Sequence, residues 1–200
     1  SVIPNGINLK FYNISSTVDE KPAISFIGRL VFYKNLPVIL AALKILKRTI
    51  PSIKLMVIGD GPMRQQWQSM TNDMGLSENV TFCGRVSHVT KLQIIQASRV
   101  IVQPSFLEGF GLTLLESYAL KKPVVVSKVA PLTELVQDGF DGYSVNPFNH
   151  RKWAEKLAEI INDPSKAELM GKRGYEKVKR HYSIKRVCDS LEELYGHGIS

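Results

Sequence analysis

The chain has few cysteines and no long apolar run. Among its 200 residues only Cys83 and Cys188 are cysteine, and their spacing fits neither a metal site nor a redox motif. We therefore expect two buried, reduced thiols and a cytoplasmic protein without disulfides. No stretch is apolar over the length that a membrane-spanning helix needs. These absences argue against a disulfide-rich secreted domain and against an integral membrane protein.

Several catalytic motifs are missing as well. The sequence has no Walker A loop, HExxH pair, nucleophile elbow or Asp-x-Asp dyad. Phosphoryl transfer, zinc proteolysis, serine hydrolysis and carboxylate-metal sugar transfer therefore lose support. The turn Gly59-Asp60-Gly61-Pro62 resembles the start of a dinucleotide fingerprint, but Arg64 stands where a third glycine belongs. A tight turn, or a wall of a ligand cleft, is the better interpretation.

The positive charge is local. The net charge is +8, and residues 166–186 hold eight Lys/Arg against Glu168 and Glu176, a surplus of +6. Such a surface could be a solvated helical face or a contact for nucleic acid or anionic lipid. No nucleic-acid motif accompanies it, so we predict no nucleic-acid partner and favour the solvated face, with a peripheral membrane contact as the alternative.

Hydrophobic patterning predicts an α/β fold, in which a Rossmann-like parallel sheet of about six strands is flanked by helices. We predict one domain over residues 1–200, with a helical tail over 165–200 that either wraps this domain or reaches toward another one. The predicted strands are Ala23–Ile27, Ile53–Ile58, Val80–Cys83, Arg99–Gln103, Pro123–Ser127 and Tyr143–Val145. The predicted helices are Asn35–Thr49 with Asn35 as N-cap, Met63–Met74, His88–Ala97, Leu112–Leu120, Leu132–Gln137, Arg151–Asn162, Lys166–His181 and Ile184–Leu194.

Two carboxylates mark a candidate site. Glu108 lies at a glycine-rich turn after a predicted buried strand, and Glu116 lies eight residues later in the following helix. Ionised carboxylates accept hydrogen bonds from vicinal diols, so sugars are natural partners. The alternatives are a surface glutamate for Glu108 and a helix-surface ion pair for Glu116. The turn Gly109-Phe110-Gly111 either presents backbone N–H groups to an anion or merely reverses the chain.

Two cations follow the first predicted strand. Arg29 comes directly after Gly28, and Lys34 precedes the Asn35 helix. Cations at the carboxyl edge of a sheet, near a helix N-terminus, are typical of a diphosphate site.

These residues, in this order, resemble the C-terminal half of GT-B-fold retaining glycosyltransferases of family 4. The resemblance rests on the Glu-x7-Glu pair Glu108 and Glu116. It is supported by the segments at 2–8, 28–30 with 34–35, 57–62, 134–139 and 142–147. It implies one half of a GT-B fold, whose N-terminal, acceptor-binding domain is absent from this chain, and a domain that is inactive in isolation.

The resemblance also implies roles for particular residues. Arg29 and Lys34 would hold the diphosphate of a UDP- or GDP-sugar, assisted by Gly28 and by amides around Phe110, Gly111 and Leu112. Glu108 would contact the donor sugar and Glu116 the ribose, while Arg85 and Val86 would touch the base. The implied catalytic residues are Glu108, Arg29 and Lys34, with no metal and no cofactor. Ala130-Pro131 replaces a Gly-Gly pair frequent in the family, so the donor sugar is not carried over.

Three alternatives stay open: a GT-B sugar phosphorylase, a nucleotide-sugar epimerase, and a non-catalytic module that binds a ligand or partner. The peripheral-membrane alternative includes a lipid-linked acceptor.

Overall fold

A computed structural model describes residues 5–14 and 23–196 of the chain. The predicted segment at 2–8 lies partly outside these ranges, as do residues 197–200 of the predicted tail. Within the described ranges, no helix is long and apolar enough to cross a bilayer.

Six parallel strands form one sheet in the order β3-β2-β1-β4-β5-β6. Every strand lies within two residues of its predicted position, which confirms the α/β fold class. The strands are β1 Ile24–Ile27, β2 Leu55–Ile58, β3 Val80–Gly84, β4 Val100–Gln103, β5 Val124–Ser127 and β6 Gly142–Val145.

All of the predicted helices are present, with shifted ends in several cases. They are α1 Leu36–Leu46, α2 Arg64–Asp73, α3 His88–Ala97, α4 Leu112–Ala119, α5 Leu132–Leu135, α6 His150–Asn162, α7 Pro164–Lys177 and α8 Ile184–Gly196. Short 3-10 helices cover Leu9–Tyr12 and Phe32–Lys34, and a π-helical turn at Val178–Tyr182 follows α7.

Helices cover both faces of the sheet, which explains why its strands are apolar almost without interruption. One face buries α1, α6 and Trp67 of α2, whose ring meets Phe26 edge-on at 6.5 Å. The other face buries residues of α3, α4 and α5. Before the tail, α6 packs on α1, and in the tail α7 packs on α4. This first helix of the tail therefore packs on its own domain.

Two local predictions were wrong. Asn35 precedes α1 but does not cap it with its side chain, because its backbone is left-handed at φ 51° and closes the preceding 3-10 turn. Its amide Nδ2 instead donates to the Pro147 carbonyl at 2.8 Å, which ties the loop after β1 to the loop after β6. Neither cysteine is fully buried, since Cys188 on α8 is exposed and Cys83 in β3 is only partly buried.

The chain reverses its winding between β1 and β4. These strands are neighbours, yet the helix after β1 packs on one face of the sheet and the helix after β4 on the other. The loops that follow them therefore diverge and leave a crevice at the carboxyl edge, where ligands bind in open α/β sheets.

The close approach of α7 to the loop after α4 leads to a stability prediction. A Cβ at Gly171 would lie 1.9 Å from the Lys121 carbonyl oxygen. We expect Gly171→Ala to lower the free energy of unfolding in urea by about 2 kcal/mol, because overpacking against backbone outweighs the helix-propensity gain of alanine. Glu176→Ala, an exposed change in α7, should alter it by less than about 0.5 kcal/mol. A Gly171→Ala protein as stable as the original would contradict this packing.

Candidate functional site

The loops after β1 and β4 meet at the crevice. The Phe106 N–H donates to the Tyr33 carbonyl at 3.0 Å, which holds the two loops together. Across this junction the Lys34 Nζ lies 2.6 Å from the Glu108 Oε2, with the two side chains only 15% and 12% exposed. Gln103, the last residue of β4, donates its Nε2 to the same oxygen at 2.5 Å. The structure thus places a lysine and a glutamate predicted for one site in direct contact.

The environment of Glu108 keeps it ionised. Burial alone would raise the pKa of Glu108, but hydrogen bonds from Lys34 and Gln103, together with the Lys34 charge, lower it below its usual value. A carboxylate held in this form accepts hydrogen bonds and donates none. Glu108 is therefore prepared to receive hydroxyl groups.

Glu116 is the second carboxylate, and it faces inward from α4 with 8% of its surface exposed. The Lys91 Nζ of α3 lies 2.6 Å from Oε1 and 2.8 Å from Oε2, and the His88 Nε2 lies 3.5 Å from Oε1. Tyr12 also contacts this carboxylate. Burial raises the pKa of Tyr12 to about 12, and the negative charge of Glu116 and its hydrogen bond with Tyr12 add to the effect. The helix-surface ion pair is thus present, but in a mostly buried setting.

Lys91, His88 and Tyr12 were missed as site residues from the sequence. The spacing of His88 and Lys91 puts them on one face of α3, three residues apart, which is the only local signal. Tyr12 comes from a 3-10 helix more than 100 residues away from Glu116 in the chain. No short-range pattern links such residues.

The glycine turn opens α4. Gly111 has φ 90° and occupies the N-cap position, and no side chain among the described residues caps this helix. Backbone N–H groups at an uncapped helix start are a ready anion site. Phe110 turns its ring toward Tyr182, at 6.4 Å between centroids, while Leu112 is half exposed. Their contribution to the crevice is therefore through backbone.

A cavity of about 520 Å³ lies beside these groups, at the ends of β1, β2 and β3. It brings together Gly28, Arg29, Arg85 and Val86 of the predicted site, and its other lining residues are Ile27, Ile58, Gly59, Asp60, His88 and Lys91. His88 and Lys91 link this cavity to Glu116. Four of the predicted residues thus share one cavity that reaches the partners of Glu116.

The Gly59-Asp60-Gly61-Pro62 turn forms part of the cavity wall. A Cβ at Gly59 would lie 2.0 Å from the Gly28 carbonyl oxygen, and one at Gly61 would lie 2.4 Å from that of Leu30. Both glycines also have positive φ angles, 127° and 159°. Close packing of two turns therefore explains these glycines, as the interpretation of a tight turn requires.

Aromatic rings flank the Lys34–Glu108 pair, and the sequence did not indicate them. Phe106 stacks with Phe148 at 6.2 Å and lies 5.8 Å from Phe32. Phe32 and Phe148 are 65% and 75% exposed. The three phenylalanines come from the loops after β1, β4 and β6, which only the folded chain brings together.

Another cavity, of about 550 Å³, lies between α5 and α7 and contains none of the predicted residues. Its lining mixes Glu134 and Glu176 with the cations Lys172, Arg173, Lys177 and Arg180. This mixture of opposite charges does not define a ligand class as the crevice does. Within the described residues, no group of three or more His, Cys, Asp or Glu side chains is arranged to hold a metal ion.

Comparison with known proteins agrees with the geometry. The model of a family described as "Glycosyl transferases group 1" matches residues 10–177. The chain is 27% identical to an alpha-D-kanosaminyltransferase of Streptomyces kanamyceticus over 178 residues, which cover 89% of this chain and 46% of that protein. The chain spans about half the length of such relatives.

Solved structures show the same fold. A sucrose-phosphate synthase from Thermosynechococcus elongatus superposes with a TM-score of 0.86 and 27% identity, covering 98% of this chain and 52% of that one. The HepE protein of Anabaena, solved in complex with UDP-glucose, superposes with a TM-score of 0.86 at 20% identity, covering 98% and 57%. The likeness to half of each structure matches a C-terminal GT-B domain.

The Lys34–Glu108 pair generates a titration prediction. We expect Lys34→Met to raise the pKa of Glu108, because burial then acts with less opposition. Carboxyl-carbon NMR over a pH series measures this directly.

The same pair predicts a pH dependence of stability. Since the folded pKa of Glu108 is lowered, the stabilisation is present above the unfolded value of about 4.3 and is lost as pH falls through the folded value. Lys34→Met should therefore reduce the free energy of unfolding more at pH 7 than at pH 3. Lys152→Met, which removes the exposed partner of Glu155, is the matched control. If the pKa of Glu108 were the same in Lys34→Met as in the original protein, the contact between Lys34 and Glu108 would be contradicted.

Proposed function

The chain belongs to the glycosyl transferases group 1 family, and we propose that it is the nucleotide-sugar-binding domain of a retaining glycosyltransferase. The observation that carries this proposal is the crevice between β1 and β4, where the Lys34–Glu108 pair lies beside the uncapped start of α4. The donor is a nucleotide-diphosphate sugar. HepE, which shares the fold, was solved with UDP-glucose, and this supports the donor class.

The diphosphate binds to cations and backbone amides. Arg29 lines the cavity and Lys34 lies at the junction of the loops, so the two can approach adjacent phosphates from one side. The α4 N-terminus, with amides at Gly111 and Leu112, supplies donors and the positive end of the helix dipole. These are the groups that stabilise the charge on a departing nucleoside diphosphate.

The two carboxylates bind hydroxyl groups on either side of the diphosphate. Glu108 contacts the donor sugar, and Glu116 contacts the ribose. Lys91 already engages both oxygens of Glu116, but a carboxylate offers about four lone-pair sites, so ribose hydroxyls share it rather than displace the lysine. Arg85 and Val86 then lie on the cavity wall where the base is bound.

Catalysis rests on positioning and electrostatics. Glu108 orients the sugar, while Arg29 and Lys34 stabilise the leaving group, and no step requires a metal. The acceptor meets the donor across a cleft formed with the other domain of the GT-B architecture. Bound alone to its donor, this domain transfers little or no sugar.

The phosphate assignment is tested with Arg29→Ala and Lys34→Ala. Each should weaken UDP binding about tenfold or more and leave uridine binding nearly unchanged, because charge-assisted contacts are lost only to the diphosphate. Calorimetry with UDP and uridine, and with GDP and guanosine in parallel, measures this and identifies the base. Arg48→Ala, an exposed cation beyond α1, is the control. Equal losses for nucleotide and nucleoside would refute the assignment.

The ribose assignment is tested with Glu116→Gln and two ligands. The original protein should bind UDP about tenfold more tightly than 2′,3′-dideoxy-UDP, since hydrogen bonds to a charged group contribute about 1.5–3 kcal/mol. In Glu116→Gln this preference should shrink to a few-fold. The ratio of the two affinities cancels any general weakening of the site. A preference that survives the substitution intact would place the ribose elsewhere.

A further inference from the structure

A third cavity lies at the opposite edge of the sheet from the crevice. Its volume is about 550 Å³, and it opens where β1, β4 and β5 begin. Three of its lining residues are the cations Arg99, Lys121 and Lys122. None of them belongs to the proposed donor site.

Two of these cations lie just ahead of neighbouring strands. Ile101 of β4 pairs with Val124 of β5, and the Ile101 N–H donates to the Pro123 carbonyl at 3.1 Å. Arg99 and Lys122 each lie two residues before this pair and line the same cavity. Two like charges that line one cavity repel each other.

No carboxylate within the described residues compensates this repulsion. Across 5–14 and 23–196, neither the Arg99 nor the Lys122 side chain forms an ion pair or a hydrogen bond. Glu168 lines the same cavity, but its carboxylate lies 2.6 Å from the Lys172 Nζ. Burial and the nearby Arg99 lower the pKa of Lys122, as expected for a cation without a counter-charge.

The remaining walls also favour negative charge. The Lys121 Nζ lies 5.0 Å from the centre of the Tyr175 ring and adds a third cation at the rim. Pro164, the first residue of α7, lines the cavity, so the positive end of that helix dipole faces it. A recess with this charge and little acidic lining suits a compact anion with several oxygens.

We propose that this cavity binds a phosphate-bearing anion, held between the Arg99 guanidinium and the Lys122 ammonium. The guanidinium offers paired N–H donors to two phosphate oxygens, and the ammonium offers a point charge to a third. The site is independent of the donor crevice. The phosphate belongs either to a free anion of the size of pyrophosphate or to a lipid headgroup.

Amide NMR of the labelled chain tests the proposal with inorganic pyrophosphate as probe. We expect saturable shifts at residues 97–99, 121–123 and 164–168. Arg99→Gln/Lys122→Gln should weaken this binding at least tenfold, while UDP-induced shifts at residues 28–34 stay unchanged. Lys44→Gln/Arg48→Gln removes the same charge from exposed positions on and beyond α1 and should leave pyrophosphate binding intact.

Sedimentation with phosphatidic acid vesicles distinguishes the two sources of phosphate. If a headgroup is the ligand, the original chain sediments with these vesicles but not with phosphatidylcholine, and the Arg99→Gln/Lys122→Gln chain loses this behaviour. If pyrophosphate caused no shifts and the chain did not sediment with phosphatidic acid vesicles, the proposal would be overturned. Equal weakening by the two double variants would also overturn it.

Two controls test whether the double variant stays folded and whether carboxylates of this chain fill the cavity themselves. Because Arg99 and Lys122 repel each other, their neutralisation should not lower the thermal unfolding midpoint, so lost binding cannot be ascribed to lost structure. Arg99→Lys keeps the charge and should retain part of the affinity. Asp19 and Glu20 precede the cavity-lining Ala23 in sequence. If pyrophosphate bound only after Asp19→Asn/Glu20→Gln, the cavity would belong to these carboxylates and the proposal would be wrong.

Discussion

The order of the strands is the constraint on which the rest of this molecule depends. With β1 and β4 adjacent and their helices on opposite faces, the loops that follow them must part, and a crevice opens at the carboxyl edge of the sheet. One backbone hydrogen bond, from the Phe106 N–H to the Tyr33 carbonyl, joins the two loops beyond the strands. Charges carried by both loops are therefore forced into contact. Lys34 and Glu108 lie together for this reason, although 74 residues separate them.

The charged side chains of the candidate site form ion pairs with one another. Glu108 is held by Lys34 and Gln103, and Glu116 is held by Lys91, so neither carboxylate is buried without a partner. Such pairing fixes the side chains before a ligand arrives, which lowers the ordering cost of binding. The hydrogen bonds and charge of its partners also hold the pKa of Glu108 below its usual value, so Glu108 stays an acceptor at neutral pH. In the proposed function, the phosphates of the donor suit Lys34 and its hydroxyl groups suit the two carboxylates.

Local sequence patterns predicted the strands and helices. Long-range contacts decided which side chains surround the candidate site, and the patterns did not predict these. The strands were predictable because a sheet covered on both faces needs short apolar runs such as Val124–Ser127, whose length and β-branched valines indicate a strand rather than a helix. Glu108 and Glu116 were predicted as site residues because two glycines and a predicted strand end mark the turn that separates them. Lys91 and Tyr12 were not found, since only the packing of α3 and the first 3-10 helix brings them to Glu116. Asn35 shows the same limit, because a residue typical of helix caps used its side chain to hold a distant loop.

The distribution of available positive charge is the property that the sequence predicted least well. The basic stretch 166–186 holds the largest surplus, yet Lys166 pairs with Glu159, Lys172 with Glu168 and Lys177 with Asp141. Arg173 lies over the Phe140 ring at 4.2 Å. Three of the eight cations in this stretch are therefore paired with carboxylates of the domain. Arg99 and Lys122 are 23 residues apart in sequence and form no cluster there, but the fold brings both into the lining of one cavity. Whether a cation is available to a ligand is thus decided by its neighbours in the fold, and a sum over sequence does not measure it.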